Sequence, residues 1–136
     1  MSRSLTLINE TITTALTGEV RGASDGDVLA GRDGIVAQAN LTYGSGGTSV
    51  AVYIQTSFDA GATWTDIAAF AFTTASARKA LAVARESVTT DVVLADGALT
   101  GDTAVGGLLG NRLRAKLTTT GIYAGDTTLR VDVILI

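Results

Sequence analysis

The stretch that most constrains the fold lies near the middle of the chain, where two strand-like runs flank a short polar loop. Residues 49–56 and 65–72 are apolar and β-branched, and the loop between them reads Ser-Phe-Asp-Ala-Gly-Ala-Thr-Trp. This arrangement predicts a β-hairpin whose tip is reinforced by its own side chains. At the tip, a short carboxylate can accept loop amides and a glycine can take a positive φ, while the tryptophan covers the sheet. The residues of this turn are Ser57, Asp59, Gly61, Thr63 and Trp64.

Composition indicates one domain with an aliphatic core. A length of 136 residues is typical of a single domain, so we expect one domain over residues 1–136. The chain is 46% hydrophobic but only 5% aromatic, so the core must consist mainly of Val, Leu, Ile and Ala. Charged residues make up 17%, below the roughly 25% usual for soluble domains, which leaves surface to be covered by Thr, Ser and Gly or by neighbouring subunits.

Period-two alternation of apolar and polar residues recurs along the chain and predicts strands. The clearest inward positions are Ile35, Ala37, Ala39, Leu41, Leu113, Ala115, Leu117, Leu129, Val131, Val133 and Leu135. Residues 75–87 also fit this period; their Ala, Leu and charges suit a helix, but we favour a strand. About seven to nine short strands joined by glycine turns predict an all-β fold, an antiparallel β-sandwich or jelly-roll-like arrangement.

Within the central hairpin, alternation gives two specific expectations. Phe58 should share the inward face of Val50, Val52 and Ile54, and Asp66 should lie near the tip, where solvent reaches it.

The two ends of the chain are candidates for contact with other subunits. Residues 1–17 predict an N-terminal strand or arm, which could pair with its own sheet or be exchanged with a neighbouring subunit. Its apolar residues Leu5, Leu7 and Ile8 are candidate interface residues. Residues 131–136 form the second apolar end, and strand addition at both ends is the expected way of binding a neighbour.

Missing residue types exclude several chemistries. The chain has no cysteine and no histidine, which removes disulfides, a thiolate nucleophile, zinc-thiolate sites and the commonest general base. Most carboxylates sit in glycine-rich turns, and no spacing singles out a catalytic pair. Asp25, Asp27 and Asp33 lack the spacing of a calcium loop. We therefore expect no catalytic residue, no metal, no cofactor and no enzymatic activity.

The charge pattern argues against nucleic acid and membranes. The net charge is −3 and the ten basic residues are scattered, so we expect no nucleic-acid partner. No apolar run approaches the roughly 18–20 residues of a transmembrane helix, and residues 1–5 lack the apolar region of a signal peptide, so we expect cytoplasmic assembly and no membrane. The outward row Arg112, Arg114 and Lys116 favours a solvated face or an interface with another subunit.

Two alternatives to pure packing concern the aromatic residues and the turn. Tyr53, Trp64 and Tyr123 could form a sugar-stacking platform, although core or interface packing is the simpler role. The Ser-x-Asp-x-Gly-x-Thr-Trp pattern resembles the Asp-box of sialidases and other β-proteins. In those proteins the box is a structural hairpin turn, usually remote from the active site, and sialidases carry several boxes on a much longer chain. The resemblance therefore implies a turn and no activity.

A broader resemblance covers most of the chain. The hairpin VYIQTSFDAGATW and the C-terminal LGNRLRAKLTTTGIYAGDTTLRVDV look like those of small virion proteins of tailed bacteriophages and prophages. This implies a non-enzymatic β-sandwich of the virion, assembled in the host cytoplasm, and most simply a capsid decoration protein that binds the major capsid protein. A homo-oligomer is implied, and a trimer would suit a capsid site. The alternatives are a head–tail connector or tail-associated protein and, outside this class, a carbohydrate-binding or receptor-binding module.

Overall fold

The computed structural model describes residues 3–24 and 26–136, and these residues form strands and loops. The strands are β1 (Arg3–Thr11), β2 (Leu16–Arg21), β3 (Gly34–Thr42), β4 (Ser45–Gly46), β5 (Ser49–Ser57), β6 (Thr65–Phe72), β7 (Ala77–Ala84), β8 (Thr103–Ala104), β9 (Arg112–Thr120), β10 (Tyr123–Ala124) and β11 (Thr128–Leu135). Eight of these eleven strands are six to nine residues long, and β4, β8 and β10 have two residues each. In the described residues no helix is long and apolar enough to cross a bilayer.

The eight long strands pair like one long hairpin folded over on itself. β1 pairs with β11, β2 with β9, β3 with β7 and β5 with β6, so the first long strand meets the last and the fourth meets the fifth. Two further pairings, β11 with β3 and β5 with β9, complete two antiparallel sheets in the orders β1-β11-β3-β7 and β2-β9-β5-β6-β8. This nested pairing is the jelly-roll arrangement, and the predicted all-β sandwich is confirmed. The short strands β10 and β4 form a separate pair.

The two sheets face each other through aliphatic side chains. Every inward position predicted on β3, β9 and β11 is fully buried, and the same core takes in side chains from β5 and β6. The largest contributors from the two facing sheets include Ile35, Leu41, Leu129, Ile54, Leu117 and Phe70. The predicted strand within residues 75–87 is also confirmed, since β7 forms one edge of the four-stranded sheet.

Two expectations for the β5–β6 hairpin are reversed, one by a bulge and the other because β5 ends before Phe58. The register steps from Ile54 opposite Ala68 to Gln55 opposite Asp66, so β6 carries one extra residue. Asp66 therefore turns to the outer face of the five-stranded sheet, where a loop covers it and leaves it only 3% exposed. β5 ends before Phe58, which belongs to the turn and is 54% exposed. The expectations of a solvated Asp66 and an inward Phe58 were wrong.

The chain ends pair with each other. β1 lies along β11, and a register shift between Thr6 and Ile8 leaves Leu7 as a bulge. Because of this bulge two successive side chains, those of Leu7 and Ile8, both turn into the core, and Leu5 is half-buried against it. Only the outer backbone edge of β1 remains open to a neighbour. β11 is bonded to β1 on one side and to β3 on the other, so the expectation of an open strand at 131–136 was wrong.

Candidate functional site

The tip of the β5–β6 hairpin is held by the side chains that the sequence pattern singles out. The two carboxylate oxygens of Asp59 accept hydrogen bonds from the Thr63 amide (2.8 Å) and the Thr63 hydroxyl (2.6 Å). The Ser57 hydroxyl donates to Asp59 Oδ1 (2.9 Å) and accepts from the Gly61 amide (2.8 Å). Gly61 has a φ of 91°, which a side chain would strain. These residues tie the loop to itself, and their chemistry is that of a turn.

Trp64 joins this tip to the neighbouring strand. Its Nε1 donates to the Gly61 carbonyl (3.1 Å), which fixes the ring against the turn. The guanidinium carbon of Arg114, on β9, lies 4.5 Å from the ring centroid, within the range of a cation–π contact. Trp64 is half-buried, so its ring packs on the outer face of the five-stranded sheet and leaves only part of its surface to solvent.

The same hydrogen bonds act on the acidity of Asp59. The Thr63 hydroxyl, the Thr63 amide and the Ser57 hydroxyl together lower the pKa of Asp59 from 3.8 to about 2. The unfolded chain therefore takes up this proton first as the pH falls. The stability that Asp59 contributes is complete above about pH 4 and is lost as the pH falls toward about 2.

We expect Asp59→Asn to flatten this acid dependence, since the variant has no carboxyl group to protonate at the tip. Thermal unfolding midpoints followed across the acid range should fall less steeply for the variant than for the wild type. An NMR titration of the wild-type carboxyl carbon should give a pKa of about 2. A midpoint near the ordinary value of 3.8 would contradict the hydrogen-bonded tip.

Asp66 holds a second loop on the outer face of the five-stranded sheet. Its Oδ1 accepts the Gly97 amide (2.9 Å) and Gln55 Nε2 (2.8 Å), and its Oδ2 accepts the Ala98 amide (2.9 Å) and the Leu99 amide (3.0 Å). Successive amides of this kind form a concavity that suits an anion. Here the protein's own carboxylate fills it, so the loop that follows residue 95 is fastened to β6.

The row Arg112, Arg114 and Lys116 does point outward from β9, but its members are bonded within the chain. Arg112 Nε lies 3.1 Å from Asp27 Oδ1, and Lys116 Nζ lies 2.7 Å from Asp96 Oδ1. The structure thus uses this row to hold the loops that cross the sheet. Asp25, which the sequence places beside Asp27 in a turn, lies outside the described residues. In the described part of the chain, no group of three metal-binding side chains occurs.

Arg114 and Gln55 connect the row to the hairpin. Arg114 Nε donates to Gln55 Oε1 (2.7 Å), and Gln55 Nε2 donates to Asp96 (2.7 Å) as well as to Asp66. The hydrogen bond from Lys116, followed by that from Gln55, lowers the pKa of Asp96, and burial lowers the pKa of Arg114. One loop and three strands are therefore tied into one polar network, which alternation could not predict.

Arg85, directly after β7, fastens the loops at one end of the sandwich. Its Nε donates to the Arg32 carbonyl (2.7 Å), and its Nη2 donates to the carbonyls of Leu29 (3.0 Å) and Gly110 (2.8 Å). Its Nη1 also donates to the Leu109 carbonyl. One guanidinium thus joins the loop after β2 to the loop before β9. No residue pattern marks this role, because all four acceptors are backbone groups.

An apolar patch is formed by the loop after Arg85 together with Phe58 of the hairpin turn. The patch comprises Phe58, Val88, Val92, Val93 and Leu94, all of them exposed. Val93 is 95% exposed. An open groove of about 360 Å³ is lined by Phe58, Leu108 and residues 88–92 and 94. No sequence pattern singled out this patch.

The sheet edges are poorly suited to strand addition. β1 carries its bulge, and β2 has a register shift between Leu16 and Glu19. On β7 the Lys79 side chain turns inward, where its Nζ bonds the Ala71 carbonyl (2.6 Å) and Asp102 (2.8 Å). β8 has only two residues. Bulges, inward charges and short edges are devices that oppose edge-to-edge pairing, so a binding surface is better sought on loops.

The three aromatic residues considered for sugar stacking are not brought together. Tyr123 is buried, donates to the Thr73 carbonyl (2.8 Å) and packs edge-to-face on Tyr43 with centroids 6.1 Å apart. Its ring also packs against Gly47, before β5 begins, whereas Trp64 follows the opposite end of that strand. A platform of Tyr53, Trp64 and Tyr123 therefore does not form.

Comparisons with known proteins identify no relative. No protein-family model matches the chain, and neither the curated proteins nor the solved structures contain a match.

Proposed function

We propose that the protein is a non-enzymatic structural subunit of a tailed-phage particle, a capsid decoration protein that binds the major capsid protein and stabilises the head. In this proposal it acts as a homo-oligomer, for which a trimer would suit a capsid site, and it resides in the virion after assembly in the host cytoplasm.

The exposed apolar patch carries this proposal. Phe58, Val93 and Leu94 are each more than half exposed and occur with two further exposed valines. Four of these five side chains line one groove, and exposed apolar surface that is contiguous in this way is a common mark of a protein-binding site. The loops around the patch are held by hydrogen bonds to Asp66 and from Arg85. These loops are therefore ordered before a partner binds, which lowers the entropy cost of binding.

The polar side chains support a structural role. The carboxylates of Asp59 and Asp66, the guanidinium of Arg85 and the ammonium of Lys116 are all engaged in holding turns and loops. The low charged content of 17% fits a subunit whose surface is partly covered. The hairpin and C-terminal segments resemble those of phage virion proteins. This resemblance is the reason for proposing another protein of the virion as the partner.

Deleting the gene is expected to give particles that are lighter and release their DNA at a lower temperature than complete particles. Adding the purified protein back should restore both properties, because its contacts bridge neighbouring capsid subunits. Particle mass by sedimentation, density by cryo-electron microscopy and DNA release on heating measure these effects. Particles of unchanged mass and heat resistance would overturn the proposal, and added density at the portal vertex or the tail would replace it with the connector or tail-associated alternative.

A further inference from the structure

We propose that the apolar patch binds an extended apolar segment of a different protein, and that this segment is flanked by lysine or arginine. The inference rests on the proposed function, in which the partner is a capsid subunit, and it deepens that function by assigning the docking surface and the chemistry of the partner.

The backbone of the patch supports an extended partner. Residues 88–94 lie between β7 and β8 and are all exposed, and they belong to no strand. Within the described part of the chain, their backbone makes no hydrogen bond to another backbone group. These amides and carbonyls are free to pair with an extended segment, and the groove beside them offers Phe58, Val88 and Leu108 as apolar contacts. Backbone pairing with side-chain pockets is a known mode of peptide recognition.

The charge around the patch selects the partner. Glu86 precedes the segment, Asp91 lies within it, and Asp59 follows Phe58 in the chain. In the described residues none of these three carboxylates is in an ion pair. The cation next in sequence, Arg85, directs its guanidinium to four loop carbonyls. The rim of the patch is therefore acidic, and a basic flank on the partner complements it.

The same charges argue against self-association through the patch. Two copies meeting face to face would bring two sets of these carboxylates together, and like charges across an interface are repulsive. An acidic rim is also repelled by the anionic surface of a bilayer. A distinct protein with a basic, apolar segment is the partner that fits both the groove and its rim.

Val93→Asp tests the patch, with Ile122→Asp as its matched control. Val93 is 95% exposed and Ile122 is 72% exposed in a turn before β10, so both variants place the same charge on an exposed apolar position and both should fold. Purified particles assembled without this protein serve as the binding probe. We expect Val93→Asp to weaken binding about tenfold or more, because it replaces the most exposed apolar side chain of the patch with a carboxylate, and Ile122→Asp to bind like the wild type. The double variant Glu86→Lys, Asp91→Lys should also bind more weakly, and circular dichroism checks that each variant is folded.

The outcomes separate the two proposals. If the wild type does not bind the particles, the decoration function is overturned and the docking surface falls with it. If the wild type binds and Val93→Asp binds equally well, the docking surface is overturned and the function stands. Unchanged or tighter binding by the charge-reversed variant would overturn the basic partner. Self-association lost in Val93→Asp, or binding to phosphatidylcholine–phosphatidylglycerol vesicles lost in that variant, would instead assign the patch to a second copy or to a membrane.

Discussion

Asp66→Ala is expected to lower the free energy of unfolding by about 3–5 kcal/mol, because the buried carboxylate accepts three backbone amides and one side-chain amide. Loss of this carboxylate leaves the amides of Gly97, Ala98 and Leu99 without their acceptor at a buried position. Denaturant unfolding measures the loss. Hydrogen exchange should show these three amides exchanging faster than those of the central strands.

Two further variants make this result specific. Asp66→Asn keeps one acceptor oxygen and replaces the other with a donor, so it should fall between the wild type and Asp66→Ala. Asp91→Ala removes an exposed carboxylate with no ion pair among the described residues, and should change stability by no more than about 0.5 kcal/mol. A loss below about 1 kcal/mol in Asp66→Ala, with the loop amides still protected, would contradict the role given to this carboxylate.

The alternation of apolar and polar residues was sufficient to predict which side chains of β3, β9 and β11 face the core. A sandwich strand has one side on the core, so residues such as Leu41, Leu117 and Val133 must recur at every second position. The hairpin tip was equally accessible to sequence reasoning, because the partners of Asp59 lie within four residues of it. Local interactions of this kind leave a readable pattern of residue types.

The same reasoning failed where a bulge intervened. Nothing in the run Thr-Asp-Ile-Ala marks the extra residue on β6, yet it moves Asp66 from one face of the sheet to the other. At the start of the chain a bulge puts Leu7 and Ile8 together in the core. An error of one residue in register reverses the assignment of every side chain beyond it, and this is why Asp66 was placed on the wrong face.

The apolar patch could not be predicted from sequence patterns, because its position depends on contacts between residues that are distant in the chain. Arg85 meets the Leu29 carbonyl across 56 residues and the Leu109 carbonyl across 24. The segment containing Val92, Val93 and Leu94 is a short apolar run, which fits a buried strand as well as an exposed one. Only the placement of the loops showed that this run stays outside the core.

Arg85→Met is expected to lower the free energy of unfolding by about 2–4 kcal/mol, since it keeps the apolar stem but removes a charged donor shared by four loop carbonyls. Arg85→Lys should recover little of this loss, because an ammonium lacks the planar fork that reaches several acceptors at once. Arg130→Met is the control. Arg130 pairs with Asp132 on the same strand at the surface, a contact worth about 0–1 kcal/mol.

Arg85 also connects stability to the docking surface. Its acceptors Leu109 and Gly110 directly follow Leu108, which lines the groove of the apolar patch. Arg85→Met should therefore accelerate hydrogen exchange at the Leu29 amide, which bonds the Asn111 carbonyl across these loops, and at the Asn111 amide, which bonds the Ser57 carbonyl at the end of β5. It should also weaken particle binding at temperatures where the variant is still folded. Binding equal to that of the wild type, together with faster loop exchange, would mean that the patch does not need an ordered groove. If Arg85→Met is as stable as Arg130→Met, the loops are held by their other contacts and the guanidinium of Arg85 adds little to stability.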